Sequence, residues 1–488
     1  MKSDTGNDLN GSFYLYLRSQ RKLIFVALAI SFVIYIPFKY CFPLPDLFVD
    51  SSDYILWATY NFSVAYRPLG YSVFLQLLHF ISSAAAFTVF IQFCLFLFST
   101  LFCFFNTDYL FGLPSKFKML VLLLTICNPI LIFQTNLISA DSLFCSLTIL
   151  WLTACLWIIK MPGWWALVLQ LLFLYLCFRV RYIAMFFPIV AVVVFIVCSA
   201  KIYYRLIGIA CTVLVIFLTI QLQKNVTEKE TGTPIFSGFA GWQIANNALY
   251  CYKHIDINSN DLPSHETQVI DHCVKAYIDS VNNSGGIGDI YLWDRNSPLK
   301  KYLNICAHRG HSDYLVAWFI SSIPLSDYGW YIIRHYPKEF MQYFILPNTI
   351  NYFYPNPEAL TNYDYKNITL TPETKQWFSL NTDHLDCKFP FLQGKIILVY
   401  PAISLLLNVF NILAILFFLS RSIPIWEKIP HDAKGLFIFW CVFYFGYMAF
   451  SIFAAAINLR FLDFLFVPGF IMPVILFKSC TSIKSQPI

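Results

Sequence analysis

Long apolar runs separated by short polar turns organise this chain. About 20 consecutive apolar residues cross a bilayer as a helix. The pattern predicts ten spans, near 22–41, 84–105, 117–135, 141–160, 164–180, 182–200, 205–222, 394–419, 435–457 and 461–479. The apolar stretch 70–83 is only about 14 residues long. That length predicts an interfacial or re-entrant helix ahead of the second span. One long polar segment, 223–393, interrupts the series and predicts a small soluble domain, mixed α/β or mostly helical. The expected fold class is therefore an all-α polytopic membrane protein of about ten transmembrane helices with a soluble cap. Its parts are an inner N-terminus (1–21), seven spans including a first outer loop at 42–83 (22–222), the cap (223–393), three more spans (394–479) and an inner tail (480–488).

Lysine and arginine in short loops mark the inner face of a membrane protein. With the N-terminus inside, 14 basic residues fall on the inner side. Only six, Lys39, Arg67, Arg179, Arg181, Lys395 and Arg460, fall at outer ends or in short outer loops. The cap and the loop 42–66 are thereby expected outside. The first span follows a polar start with no small-residue cleavage site, so it reads as a retained anchor.

Composition agrees with this layout. Hydrophobic residues make up 58% of the chain and charged residues 12%, against about 25% charged in soluble domains. A water-soluble enzyme, a disordered chain and a disulfide-framework secreted protein are excluded. Half of the 60 charged side chains, 17 acidic and 13 basic, lie in the cap segment. The net charge of +6 contains no dense basic run, so no nucleic-acid partner is expected. Eleven of the 15 cysteines lie in or beside apolar spans, where cysteine acts as a small hydrophobe. Cys251, Cys273, Cys306 and Cys387 fall in the cap, where an oxidising compartment would permit one or two disulfides.

Ionisable groups near membrane depth are expensive and mark functional sites by default. The first outer loop carries Asp46, Asp50 and Asp53. Asp50 and Asp53 are three apart, so a helical turn puts them on one face, where like charges raise one another's pKa. The same loop continues Tyr66-Arg67-Pro68-Leu69-Gly70-Tyr71. An arginine at the mouth of a short helix can grip phosphate bidentately. Asp141 opens the fourth span, where the helix dipole favours an acid. Arg179-Val180-Arg181-Tyr182 forms an outer corner whose two cations run against the positive-inside bias, pointing to a nearby anion. Arg460 and Asp463, three apart at the start of the last span, are expected to pair. The segment 328–358, with His335 and Glu358, reads first as a packed helix of the cap and otherwise as a segment that returns over the membrane surface to bind polar groups. Cys306-Ala-His308-Arg-Gly-His311 has the residue types of a metal site but lacks a paired Cys-x-x-Cys, so no metal site is assigned.

Together these marks resemble the GT-C superfamily of polytopic glycosyltransferases, which includes the protein mannosyltransferases and the lipid-A aminoarabinose transferases. The resemblance lies in residues 50–78, 136–150, 179–188 and 460–468. It implies inverting transfer of a sugar from a polyprenyl-phosphate donor to a glycan, lipid or protein acceptor outside a plasma membrane of bacterial type. It implies catalytic roles for Asp50, Asp53 and Asp141, with Asp50 in the family's loop-acid position and Asp53 next. Arg67, Arg179, Arg181 and Arg460 would hold the departing phosphate. Tyr54, Tyr71, Tyr182, His335 and Glu358 would line the substrates. No cofactor is assigned, and a divalent cation is left open. The Trp-Trp-Asp signature of oligosaccharyltransferases is absent. The rival reading is a transporter or flippase for a lipid-linked anion, which would use the same arginines without catalysis. The lack of an internal repeat and the crowding of charge on one face weigh against it.

Overall fold

The structure is a computed structural model that describes residues 13–278, 287–309, 313–364 and 369–483. Among these residues there is no β-strand, only isolated bridges pairing Asp46 with Leu137 and Asn356 with Asn458. Seven helices among them are long and apolar enough to cross a membrane: Arg21–Cys41, Ala85–Phe111, Ser115–Asn136, Ala140–Lys160, Ile202–Thr231, Pro390–Lys428 and His431–Ala454. The protein is thus an all-α, multi-pass membrane protein. Gly70–Ile81, Trp164–Val180, Phe187–Val197 and Pro468–Ile483 are shorter apolar helices.

Burial sorts these helices into layers. Every residue from Ala140 to Ile159 is buried, as befits a helix that is apolar on all sides and central in a bundle. Its start is set by Ser139, whose hydroxyl accepts the Asp141 N–H at 3.3 Å and donates to the Asp141 carboxylate at 2.7 Å. Arg21–Cys41 and Ile202–Thr231 instead expose large apolar side chains such as Phe25, Ile36, Leu206 and Phe217. Such faces suit lipid.

The predicted span 117–135 is broken at Asn128–Pro129 into Ser115–Ile126 and Pro129–Asn136. Proline starts helices readily because its missing N–H is not needed at the first turn. The next donor, the Ile130 N–H, is satisfied by the Tyr400 hydroxyl at 3.1 Å, which itself donates to Asn128 at 2.5 Å. A break inside the membrane is tolerated only where side chains re-satisfy the backbone in this way.

The polar insert is helical where described, and it divides in two. Ala240–Leu249, His265–Ile278, Pro298–His308 and Tyr314–His335 surround their own core of Trp242, Tyr302, Trp318 and Tyr328. Gly241 lets two of these helices meet, since a Cβ there would lie 1.8 Å from the Ser322 carbonyl oxygen. The later part packs on the membrane body through Tyr352, Leu360, Tyr363 and Trp377. The helix Ile202–Thr231 runs through the 222/223 boundary and ends at Gly232, whose φ of +70° favours glycine. Cys251, Cys273, Cys306 and Cys387 are all free thiols, so the disulfides admitted by the sequence are not formed.

Candidate functional site

Four segments meet at one end of the bundle. The first is the short helix Val49–Thr59, started by Ser51, whose hydroxyl accepts the Phe48 N–H at 2.8 Å and donates to the Ile138 carbonyl at 2.6 Å. The loop before it is laid along the turn at 136–139 by two backbone bonds, Asp46 N–H to Asn136 at 2.9 Å and Ile138 N–H to Asp46 at 3.1 Å. These bonds bring Asp50 beside Asp141. Gly70 then seats the Arg67 turn against the corner at Arg179–Arg181, because a Cβ there would come within 2.4 Å of the Arg179 carbonyl oxygen. Arg460 arrives on the loop after His431–Ala454, held where Asn348 donates to the Ile452 and Ala455 carbonyls, both at 2.7 Å.

The result is an alternating row of charge. Arg67 Nη1 lies 2.6 Å and Arg460 Nη1 3.1 Å from the same oxygen, Asp50 Oδ2. Arg460 Nη1 is also 3.6 Å from Asp141 Oδ2, and Arg181 pairs with Asp141 Oδ1. Three arginines and two aspartates leave one net positive charge. The guanidinium carbons also lie over rings, Arg460 at 4.5 Å from Phe48 and Arg181 at 4.9 Å from Phe461. Aromatic faces favour cations stripped of water. Arg460 Nε is buried and meets no hydrogen-bond acceptor, so the row retains donor capacity.

Neighbours split the two loop acids. Burial alone would raise Asp50, but Arg67 and Arg460 outweigh it and hold the carboxyl down at about 2. Burial raises Asp53, against the hydrogen bond it accepts from the Tyr66 hydroxyl and the pull of Arg67. Burial is the main cause of the rise at Asp53, with the charge of Asp50 adding less, and the raising expected from their spacing fails for Asp50, which two cations claim. Burial also pushes Asp46 up to about 7, although it accepts from Gln393 and the Asp364 N–H, both at 3.0 Å.

Not every predicted residue reaches this row. Arg460 and Asp463 do not pair. They sit in two separate 3-10 turns, Leu459–Phe461 and Asp463–Phe466, and the i, i+3 proximity of a continuous helix is lost. Asp463 instead accepts from Gln134 at 2.7 Å and the Phe464 N–H at 2.6 Å. Arg179 turns away from Arg181 and lines a separate small cleft with Leu69, Tyr182, Gln223 and Phe236. Arg179 still belongs to the helix Trp164–Val180, on which residues two apart face away from each other, and Arg181 lies just past its end. Tyr54 is buried edge-on to Tyr71 at 5.1 Å, and the Tyr71 hydroxyl is spent on Gln92 at 2.7 Å. Both act in packing rather than as open contacts. His335 is exposed on the insert, stacks on Tyr331 and bonds its carbonyl at 2.8 Å, and makes no contact with the row. The side chain of Glu358 and the whole of His311 lie outside the described residues.

No known family model matches the chain, and no curated protein or solved structure matches it either. The chemistry must be read from the geometry.

Two features escaped the sequence. Lys300 reaches toward Asp53 from the insert, caged by Trp242, Trp293, Tyr314 and Trp318, and burial lowers it to about 8. Nothing in Pro298-Leu-Lys300-Lys301 separates it from a solvated helix lysine. Asp46 was visible as the first acid of its loop, but its burial was not. Among the described residues no three His, Cys, Asp or Glu side chains stand close enough to hold a metal ion. Asp50 and Asp141 already face guanidinium groups, so a divalent cation does not fit this donor set.

Proposed function

We propose that the protein is a membrane glycosyltransferase with a GT-C-like body of about ten spans and an extracytoplasmic cap, transferring a sugar from a polyprenyl-phosphate donor. One observation carries the reading. Arg67, Arg181 and Arg460, remote in sequence, converge on two aspartates with one charge of positive excess. Cations held ready where charge develops supply much of the rate enhancement in many catalysed transfers. Here that charge is the phosphate of the departing lipid.

In this reaction the acceptor oxygen attacks the anomeric carbon with inversion. The bond from that carbon to the phosphate oxygen breaks, and polyprenyl phosphate leaves with the electron pair. The acceptor proton passes to a carboxylate. Asp53 suits that base better than Asp50, because a carboxyl held at about 2 is a weak proton acceptor and a raised one is stronger. Asp50 and Asp141 then align the arginines.

Purified protein supplied with a polyprenyl-phosphate sugar and an acceptor is expected to release polyprenyl phosphate. Asp53→Asn should lower turnover by about 10²-fold or more, the usual contribution of a general base. Arg460→Ala should lower it comparably by uncovering the leaving charge. Full turnover in Asp50→Asn, Asp53→Asn and Asp141→Asn alike would end the catalytic reading. Passage of intact donor across a bilayer without cleavage would favour transport instead.

A further inference from the structure

Above Asp53, the insert presents an aromatic wall. Trp293 and Tyr314 are 40% and 55% exposed. Behind them Trp318 lies nearly parallel to Trp293, with centroids 6.1 Å apart at 25°, and Tyr66 stacks on Trp318 at 4.8 Å. Charge brackets the wall. Lys300 Nζ lies 5.2 Å from the Trp293 ring and bonds the Tyr314 hydroxyl at 3.1 Å, while the Arg67 guanidinium lies 5.4 Å from Trp293. Tyr66 donates its hydroxyl to Asp53 while its ring lies 6.4 Å from that of Trp293 and 4.8 Å from that of Trp318, so the acid lies at the foot of the wall.

We propose that Trp293 and Tyr314, with Lys300 and Asp53 at their base, form the acceptor subsite, and that the acceptor is a saccharide. The argument is one of matched surfaces. The C–H-bearing face of a pyranose carries partial positive charge and stacks on the negative face of an indole or phenol ring. Its hydroxyls meet the ammonium and the carboxylate at the wall's foot. A purely apolar partner would strip water from Lys300, Arg67 and Asp53 without replacing it. A cationic ligand would meet Lys300 and Arg67 already at the rings. A sugar resting here turns a hydroxyl toward Asp53, the atom that must lose a proton in the transfer. Naming this sugar the acceptor rests on the transferase reading, but the binding of a sugar does not.

The full-length protein in nanodiscs, titrated with the methyl glycosides of glucose, mannose, galactose and N-acetylglucosamine, tests the site by saturation-transfer NMR. At least one glycoside should receive saturation at its ring C–H protons. Trp293→Ala and Tyr314→Ala should each weaken that binding about tenfold, the scale of one lost stacking contact. Trp293→Phe keeps an aromatic face and should stay within about threefold of the native protein. Tyr354→Ala, a change at another exposed ring of the insert, should leave binding as it was. No glycoside bound by the native protein, binding that survives both alanine variants, or binding of adenosine in place of every glycoside would overturn the proposal. Release of polyprenyl phosphate is followed separately. Sugar binding without release retains the subsite and removes the transferase; release with no sugar bound does the reverse.

Discussion

Asp50 and Asp53 stand one turn apart on one short helix, yet their surroundings move them in opposite directions. Asp50 faces Arg67 and Arg460, and its carboxyl falls from the usual value to about 2. A depressed carboxyl pKa stabilises the fold above the unfolded value of about 3.9, and that contribution is lost as pH falls toward the folded value. Asp50→Asn should therefore lower stability by roughly 2 kcal/mol at neutral pH. The gap between native and variant melting temperatures should be flat above about pH 5 and close as pH falls toward 2. A gap that stays constant down to pH 2 would show that Asp50 is not ionised in this row. Asp53 gives a kinetic test. Its carboxyl is raised by burial and lowered by the Tyr66 hydroxyl it accepts from. Tyr66→Phe removes the lowering contact, so the acid limb of kcat/KM against pH should move to higher pH. A limb that is unmoved, or moves down, would separate Asp53 from the rate.

At the scale of elements, the site depends on close approaches of backbone. Gly70 brings the short helix Gly70–Ile81 against the corner that carries Arg181. Gly70→Ala forces a Cβ to within 2.4 Å of the Arg179 carbonyl oxygen, backbone that cannot rotate away. A cost of about 1–3 kcal/mol is expected for such overpacking, together with weaker donor binding as Arg67 shifts from its partners. Gly288→Ala is the comparison, since an added Cβ there meets nothing within 4 Å. Equal melting temperatures for the two variants would show that the contact at Gly70 is not tight. The helix Ala140–Lys160 is legible in the sequence because a capping serine, a first-turn acid and an unbroken apolar run agree. The last span departs from its hydropathy. Apolar character continues through Arg460–Val467, but the backbone there forms two 3-10 turns before the helix starts at Pro468. Apolar character fixes where a segment is buried and says little about whether it is wound continuously.

At the scale of the whole molecule, the inner excess of lysine and arginine sets an expected orientation with the insert outside. Cysteine labelling checks it in a background lacking reactive native thiols. Asn260→Cys, exposed on the insert, should react with an impermeant maleimide added to intact cells. Ser115→Cys, exposed at the start of a helix on the predicted inner side, should react only after lysis. The opposite pattern would invert the topology and move the charge row to the inner face. The insert also proves to be two units. The part around Trp242 and Trp318 has its own core, while Tyr352 to Trp377 packs on the membrane body. Both are polar enough to look alike in a sequence.

The sequence by itself determined the membrane character, the position of the insert, and the short list of charges from which a site could be built. It did so because hydropathy is a property of each segment, and an ionised group near lipid is costly wherever the segment folds. Only the tertiary structure decided which of those charges face one another. It parted Arg179 from Arg181, turned Arg460 from Asp463 to Asp50 and Asp141, and caged Lys300 among the rings of the insert. Ion pairing depends on separations of about 4 Å between groups remote in sequence. Those separations are fixed by the packing of backbone at Gly70, the bridge at Asp46 and the anchoring of the loop by Asn348, none of which a hydropathy pattern contains.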